Sequence, residues 1–156
     1  MSLIRYSGKT KLMHFDKADT TVRIVDGGAV QFSAAGKLND LANDSDDKVF
    51  GVCRRTMALA DTSPDTSGKS VPVEVPVENY TEWLIDTDSD GGASATDVGR
   101  YCALDTGDTV NINARADVSD SDIPHILITG VVSATKIIGI LARTALSKPA
   151  THDFDT

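Results

Sequence analysis

Apolar and polar positions along this chain alternate in short runs and rarely recur at helical spacing, which predicts strands. Thr21-Val22-Arg23-Ile24-Val25 alternates and stops at Asp26-Gly27-Gly28, a turn signal. Ala29 to Phe32 follows, then a turn around Gly36, then the apolar run Val49-Phe50-Gly51-Val52-Cys53 after a polar loop at 43–47. The most regular segment is Val71-Pro72-Val73-Glu74-Val75-Pro76-Val77, whose valines are expected to face inward. Proline donates nothing to a ladder, so this strand is expected at an edge or crossing between sheets. Tyr80 to Ile85, Arg100 to Leu104, Thr109 to Ile112, Ile126 to Val132 and Ile137 to Ala142 complete the predicted strands. Polar loops are predicted over 60–70 and 86–99. The one apolar stripe at helical spacing, Ala34 to Leu41, is short and broken by Gly36.

Composition strengthens the all-β reading. Twenty of the 23 acidic residues are Asp, which favours turns, and only three are Glu, a good helix former. The 156 residues are 40 % hydrophobic, enough for one ordinary domain with a real core. The net charge of −8 disfavours nucleic acid as a partner, because phosphate contacts need clustered cations. No apolar stretch approaches the roughly 20 residues of a membrane helix, and the opening residues lack a signal-peptide core. Cys53 and Cys102 match no metal or disulfide spacing, so free thiols in a reducing cytoplasm are expected.

Charge is unevenly placed. The first 23 residues carry Arg5, Lys9, Lys11, Lys17 and Arg23 against Asp16 and Asp19, a balance of +3 that leaves −11 for the rest. Residues 1–20 are read as an extended arm ordered only against a partner, with an edge strand from Lys11 to Phe15 as the competing reading. A β-barrel domain is expected over 21–146 and a polar tail over 147–156. Lys48–Thr56 aligns with Lys136–Thr144 at Lys, Gly, Arg and Thr, a hint that the barrel contains two similar β units.

Candidate chemistry is sparse. Gly8-Lys9-Thr10 and Gly68-Lys69-Ser70 resemble the end of a phosphate-binding loop, but Leu3 and Ser63 stand where its first glycine is needed. No nucleophile elbow is present, His14 and His125 read as structural, and Glu74, Glu78 and Glu82 read as one solvated face. No enzymatic activity and no cofactor are expected. Asp86-Thr87-Asp88-Ser89-Asp90-Gly91 continuing to Asp97 has the spacing of a calcium loop, with Asp86, Asp88, Asp90 and Asp97 as ligands. Strand-like flanks and a short closing Asp97 weaken that match, and in an Asp-rich chain a solvated loop has the same appearance.

The order of strands and glycines resembles the decoration, or cement, proteins of tailed-bacteriophage heads, in particular the lambda-type head-stabiliser group. The residues that carry the resemblance are Val30-Gln31-Phe32-Ser33 with Gly36-Lys37-Leu38, Lys48-Val49-Phe50-Gly51-Val52, Gly68-Lys69-Ser70-Val71-Pro72-Val73-Glu74-Val75, Val98-Gly99-Arg100-Tyr101 and Thr135-Lys136-Ile137-Ile138-Gly139-Ile140. It spans most of residues 20–143 and leaves the loop at 86–97 unmatched. It implies a small β-tulip barrel and a structural virion protein, made in the host cytoplasm, that binds the outer capsid surface. The implied partners are the major capsid protein and further copies of the chain in a homotrimer, with neither nucleic acid nor membrane. The expected capsid-binding arm comprises Leu3, Ile4, Arg5, Tyr6, Lys9, Lys11 and Lys17. The alternative is a tail, baseplate or receptor-binding β-module; a calcium-dependent carbohydrate module is disfavoured by 5 % aromatic content.

Overall fold

The computed structural model describes residues 3–17, 24–32, 37–40, 49–57, 70–78, 80–87, 92–102, 104–105, 109–110 and 125–142. Their strands are β1 (Ile4–Ser7), β2 (Thr10–Phe15), β3 (Ala29–Phe32), β4 (Leu38–Asp40), β5 (Gly51–Cys53), β6 (Val71–Pro76), β7 (Glu82–Thr87), β8 (Tyr101–Cys102), β9 (Leu104–Asp105), β10 (Thr109–Val110), β11 (Ile126–Ser133) and β12 (Lys136–Leu141). The only helical element among the described residues is a 3₁₀ turn at Ala95–Asp97. The chain is all-β, as its alternation predicts. Leu38–Asp40, inside the one helix-like stripe, is also a strand.

The strands form a seven-stranded sheet, ordered β8-β11-β12-β7-β10-β9 with β1 also on β7, and a five-stranded sheet, ordered β2-β6-β5-β3-β4. The expected closed barrel is replaced by two sheets. In the larger one, β8 and β9 end opposite margins of the pairing path although they are one residue apart in the chain. That sheet therefore curls, and its margins are joined through the chain rather than by a ladder.

Residues 4–15 correct the expectation of a free arm. β1 pairs antiparallel with β7 (Ile4↔Leu84, Arg5↔Trp83), and β2 pairs antiparallel with β6 from Thr10↔Pro76 to Phe15↔Val71. The N-terminal segment is thus a ribbon that belongs to both sheets. It changes sheet at Gly8, φ 88°, where a Cβ would lie 2.7 Å from the Thr81 Cα. Its partner changes sheet at the same level, between the end of β6 and the start of β7. The competing reading, an edge strand over residues 11–15, matches β2, which ends the order of the smaller sheet.

The valine strand is neither an edge nor a crossing: β6 lies wholly in the smaller sheet, flanked by β2 and β5, and the chain changes sheet only beyond it, before β7. The short β5 pairs only at Val52↔Glu74 and Cys53↔Val73. Pro72 offers its carbonyl to the Arg54 N–H at 2.9 Å, so its missing donor falls beyond the ladder. Val71, Val73 and Val75 are buried, whereas Val77, past the end of the strand, is 62 % exposed and corrects the inward placement.

Two apolar clusters hold the fold. One joins Trp83, Ile85, Ile126, Ile128, Ile137 and Leu141 of the larger sheet to Leu3, Ala29, Val49 and Val52. The other lies on the opposite face of the smaller sheet and contains Val30, Leu38, Cys53, Met57 and the three buried valines of β6. Alternation explains the division: Ala29 and Val30 go to different clusters, as do Val52 and Cys53. Phe15, Phe32 and Phe50 pack edge-on or tilted beside the second cluster, with centroids 4.5–5.4 Å apart.

The similarity of the two Lys-x-x-Gly segments has a local cause. A Cβ on Gly51 would meet the Glu74 carbonyl oxygen at 2.8 Å, and one on Gly139 would meet the Ile126 Cγ2 at 2.5 Å. Both strands need glycine to approach a neighbour closely. Beyond them the connectivity differs: β5 is followed outward by β3 then β4, and β12 by β11 then β8.

Candidate interaction surface

The sheet-crossing ribbon carries most residues expected to contact a partner, but it divides them. Leu3 is fully buried in the inter-sheet core, and its N–H donates to the Gly27 carbonyl at 2.8 Å. Lys17 is also fully buried and bridges to Leu38. These two are corrected from surface anchors to structural residues. Ile4 and Tyr6 are 54 % and 58 % exposed, and Lys9 and Lys11 are exposed.

Sequence reading missed the rest of this surface. Val77 and Tyr80, between β6 and β7, are both more than half exposed; Leu12, also exposed, lies on the face of β2 opposite Lys11. The Lys9 carbonyl accepts from the Val77 N–H at 3.0 Å and from the Thr81 hydroxyl at 3.0 Å, which ties the two bends together. The result is a knuckle at the sheet junction, bearing two tyrosines, aliphatic side chains and two lysines on an acidic chain. The high exposure of Val77 was hidden because its alternation continues that of β6 without marking the bend.

Behind the knuckle lies a polar cluster. Glu74 accepts from Arg54 Nε at 2.6 Å and from the Thr10 hydroxyl at 2.8 Å, and Arg5 Nε lies 3.5 Å from its carboxylate. Arg5 also donates to the Thr10 hydroxyl at 3.0 Å, and Arg54 donates to the Leu3 carbonyl at 2.9 Å. The Arg54 guanidinium stands 5.6 Å from the Trp83 ring centre. Burial opposes ionisation of Glu74, but the Thr10 hydroxyl and the two arginines outweigh it and hold its carboxyl below the usual range.

The three glutamates therefore do not share one solvated face. Even spacing along the chain is broken by the change of sheet: Glu74 sits in the cluster, and Glu82 on β7 accepts from Ser7 at 2.9 Å and Thr129 at 2.6 Å. Glu78 is exposed in between.

Of the calcium-loop candidates, Asp86 pairs with Lys136 at 3.3 Å. Asp97 is buried, and its carboxylate accepts from the Ser94 N–H at 2.8 Å at the start of the 3₁₀ turn. Asp88 and Asp90 lie outside the described residues, as does the polar tail. Among the described residues no three His, Cys, Asp or Glu side chains are grouped to hold a metal ion. His125 is buried and its Nδ1 accepts from the Leu104 N–H at 2.9 Å, a structural role, while His14 is exposed on β2. Lys9 of the first glycine-lysine tripeptide precedes a strand, so no helix N-terminus stands there for a phosphate.

Comparison with protein-family models, with curated proteins and with solved structures found no match.

Proposed function

We propose that this chain is a structural virion protein that binds the outer surface of a tailed-phage capsid and cements its major capsid protein lattice. The observation that carries the reading is the knuckle: exposed Val77 and Tyr80 on the bend that is tied to Lys9, with Tyr6 and Lys11 exposed on the strands flanking Gly8, on a chain of net charge −8. Such a surface fits an acidic protein partner with apolar contacts, since aromatic residues anchor interfaces and flanking cations set orientation and rate. The strand and glycine order that resembles head-decoration proteins supports the same reading, and with it self-association as a trimer at the capsid surface.

The test is binding of the purified chain to expanded phage heads, read as copies per head after sedimentation. Occupancy comparable to the number of capsid subunits is expected, whereas a few copies at one vertex would favour the tail or baseplate alternative. The variant Tyr6→Ser/Lys9→Glu/Lys11→Glu is expected to weaken binding by about tenfold or more while its melt is unchanged. Full occupancy by that variant would remove the knuckle from the contact.

A further inference from the structure

We propose that Glu74 is an acid-releasable catch that fastens the N-terminal ribbon across the junction of the two sheets. The inference rests on the proposed function only in that the ribbon carries the contact residues; the catch itself is a property of the isolated chain.

Glu74 lies on β6 of the smaller sheet, yet one of its cationic partners, Arg5, comes from β1 of the larger. Its other cation, Arg54, follows β5 and reaches three further places: the carboxylate, the Leu3 carbonyl and the face of Trp83 on β7. Thr10 completes the set from β2, donating to Glu74 while accepting from Arg5. One carboxylate thus collects contacts from both strands of the ribbon and from both sheets. Among the described residues, the ion pairs of both Arg5 and Arg54 end on this carboxylate. The groups facing it are Arg5 from β1, Thr10 from β2, and Arg54 from the segment after β5; His14, paired with Pro72, shares the Thr10 face of β2, two residues beyond Leu12.

Protonating Glu74 leaves two guanidinium groups without the charge they share. A neutral carboxyl keeps at most one of its hydrogen bonds at comparable strength, since bonds to charged groups are the stronger ones. The folded carboxyl titrates below its unfolded value, so its contribution is complete above the ordinary glutamate range and is lost as pH falls through the folded pKa. Release is expected to be local. β1 and β2 hold their sheets along one side each, whereas the hairpin of β11 and β12 is anchored in the inter-sheet core. Trp83 is the chain's only tryptophan, its indole N–H is buried without a hydrogen-bond partner, and Arg54 lies over its ring, so its emission reports the catch directly.

The experiment is an acid titration of the full chain without capsids, following Trp83 emission and residue-resolved hydrogen exchange, alongside Glu74→Gln and the control Glu82→Gln. In the native chain, protection of residues 4–15 is expected to fall about tenfold or more below the ordinary glutamate range while the β11 and β12 amides stay protected. Glu74→Gln is expected to show the released ribbon already at neutral pH and no acid step, and Glu82→Gln to behave as the native chain. Simultaneous loss of protection in β11 and β12, native ribbon protection in Glu74→Gln at neutral pH, or an unchanged acid step in that variant would each overturn the proposal. Failure of the native chain to bind heads, with the acid step intact, would count against the proposed function alone.

Discussion

At the scale of single residues, burial decides which groups can react. Cys53 is fully buried in the second cluster; desolvation pushes its thiol up to about 11, against a smaller opposing effect of the Arg55 carbonyl that it donates to at 2.7 Å. The thiol, not the thiolate, is the form the fold stabilises. Its contribution is therefore complete below the unfolded value near 9.0 and is lost as pH rises toward about 11. Native protein is expected to leave both cysteines unmodified by a thiol-directed disulfide reagent at neutral pH, and to react stoichiometrically once unfolded. Rapid native labelling at Cys53 would mean that the second cluster opens readily. The same scale explains what was misread in the sequence. Positive charge at Lys17 and position at Leu3 suggested exposure, but both side chains are buried, because burial depends on strands far along the chain.

At the scale of elements, local signals and long-range pairing part company. The hairpin of β11 and β12 was legible because both strands alternate and only Ala134 and Thr135 separate them. The valine strand was legible for the same reason, but its inner place was not, because the short β5 leaves the prolines' missing donors beyond the ladder. The role of residues 4–15 was not, since their partners lie in β6 and β7 and nothing in a short polar segment names a distant edge. The knuckle was half legible: Ile4, Tyr6, Lys9 and Lys11 were foreseen, while Val77 and Tyr80 needed the bend. The pairing overturns the expectation of an arm ordered only against a partner. Deleting residues 1–15 removes Leu3 from the core, strips β1 from β7 and bares the full length of β6. We expect the truncated chain to melt well below the native chain and to aggregate through the exposed edges. A truncated protein with a native-like melt would show that the ribbon adds nothing to the fold.

At the scale of the whole molecule, the two sheets share a core and a ribbon, so neither is complete without the other. Leu3, Ala29, Val49 and Val52 pack with the larger sheet's interior, and residues 4–15 close one side of each sheet. Trp83 emission and far-ultraviolet circular dichroism at neutral pH are expected to report one coincident unfolding transition, as for a single cooperative domain. Two separated transitions would mean that the sheets unfold as independent units. The ribbon also sets the order in which this fold can be made. Ser7 emerges from the ribosome 75 residues before Glu82, its hydrogen-bond partner. At about 5–20 residues per second, the first strands wait roughly 4–15 seconds for a mate. The beginning of the chain consequently waits until about half of it has been made, and nascent chains that stall before β7 present an unpaired β1 to the chaperones around them.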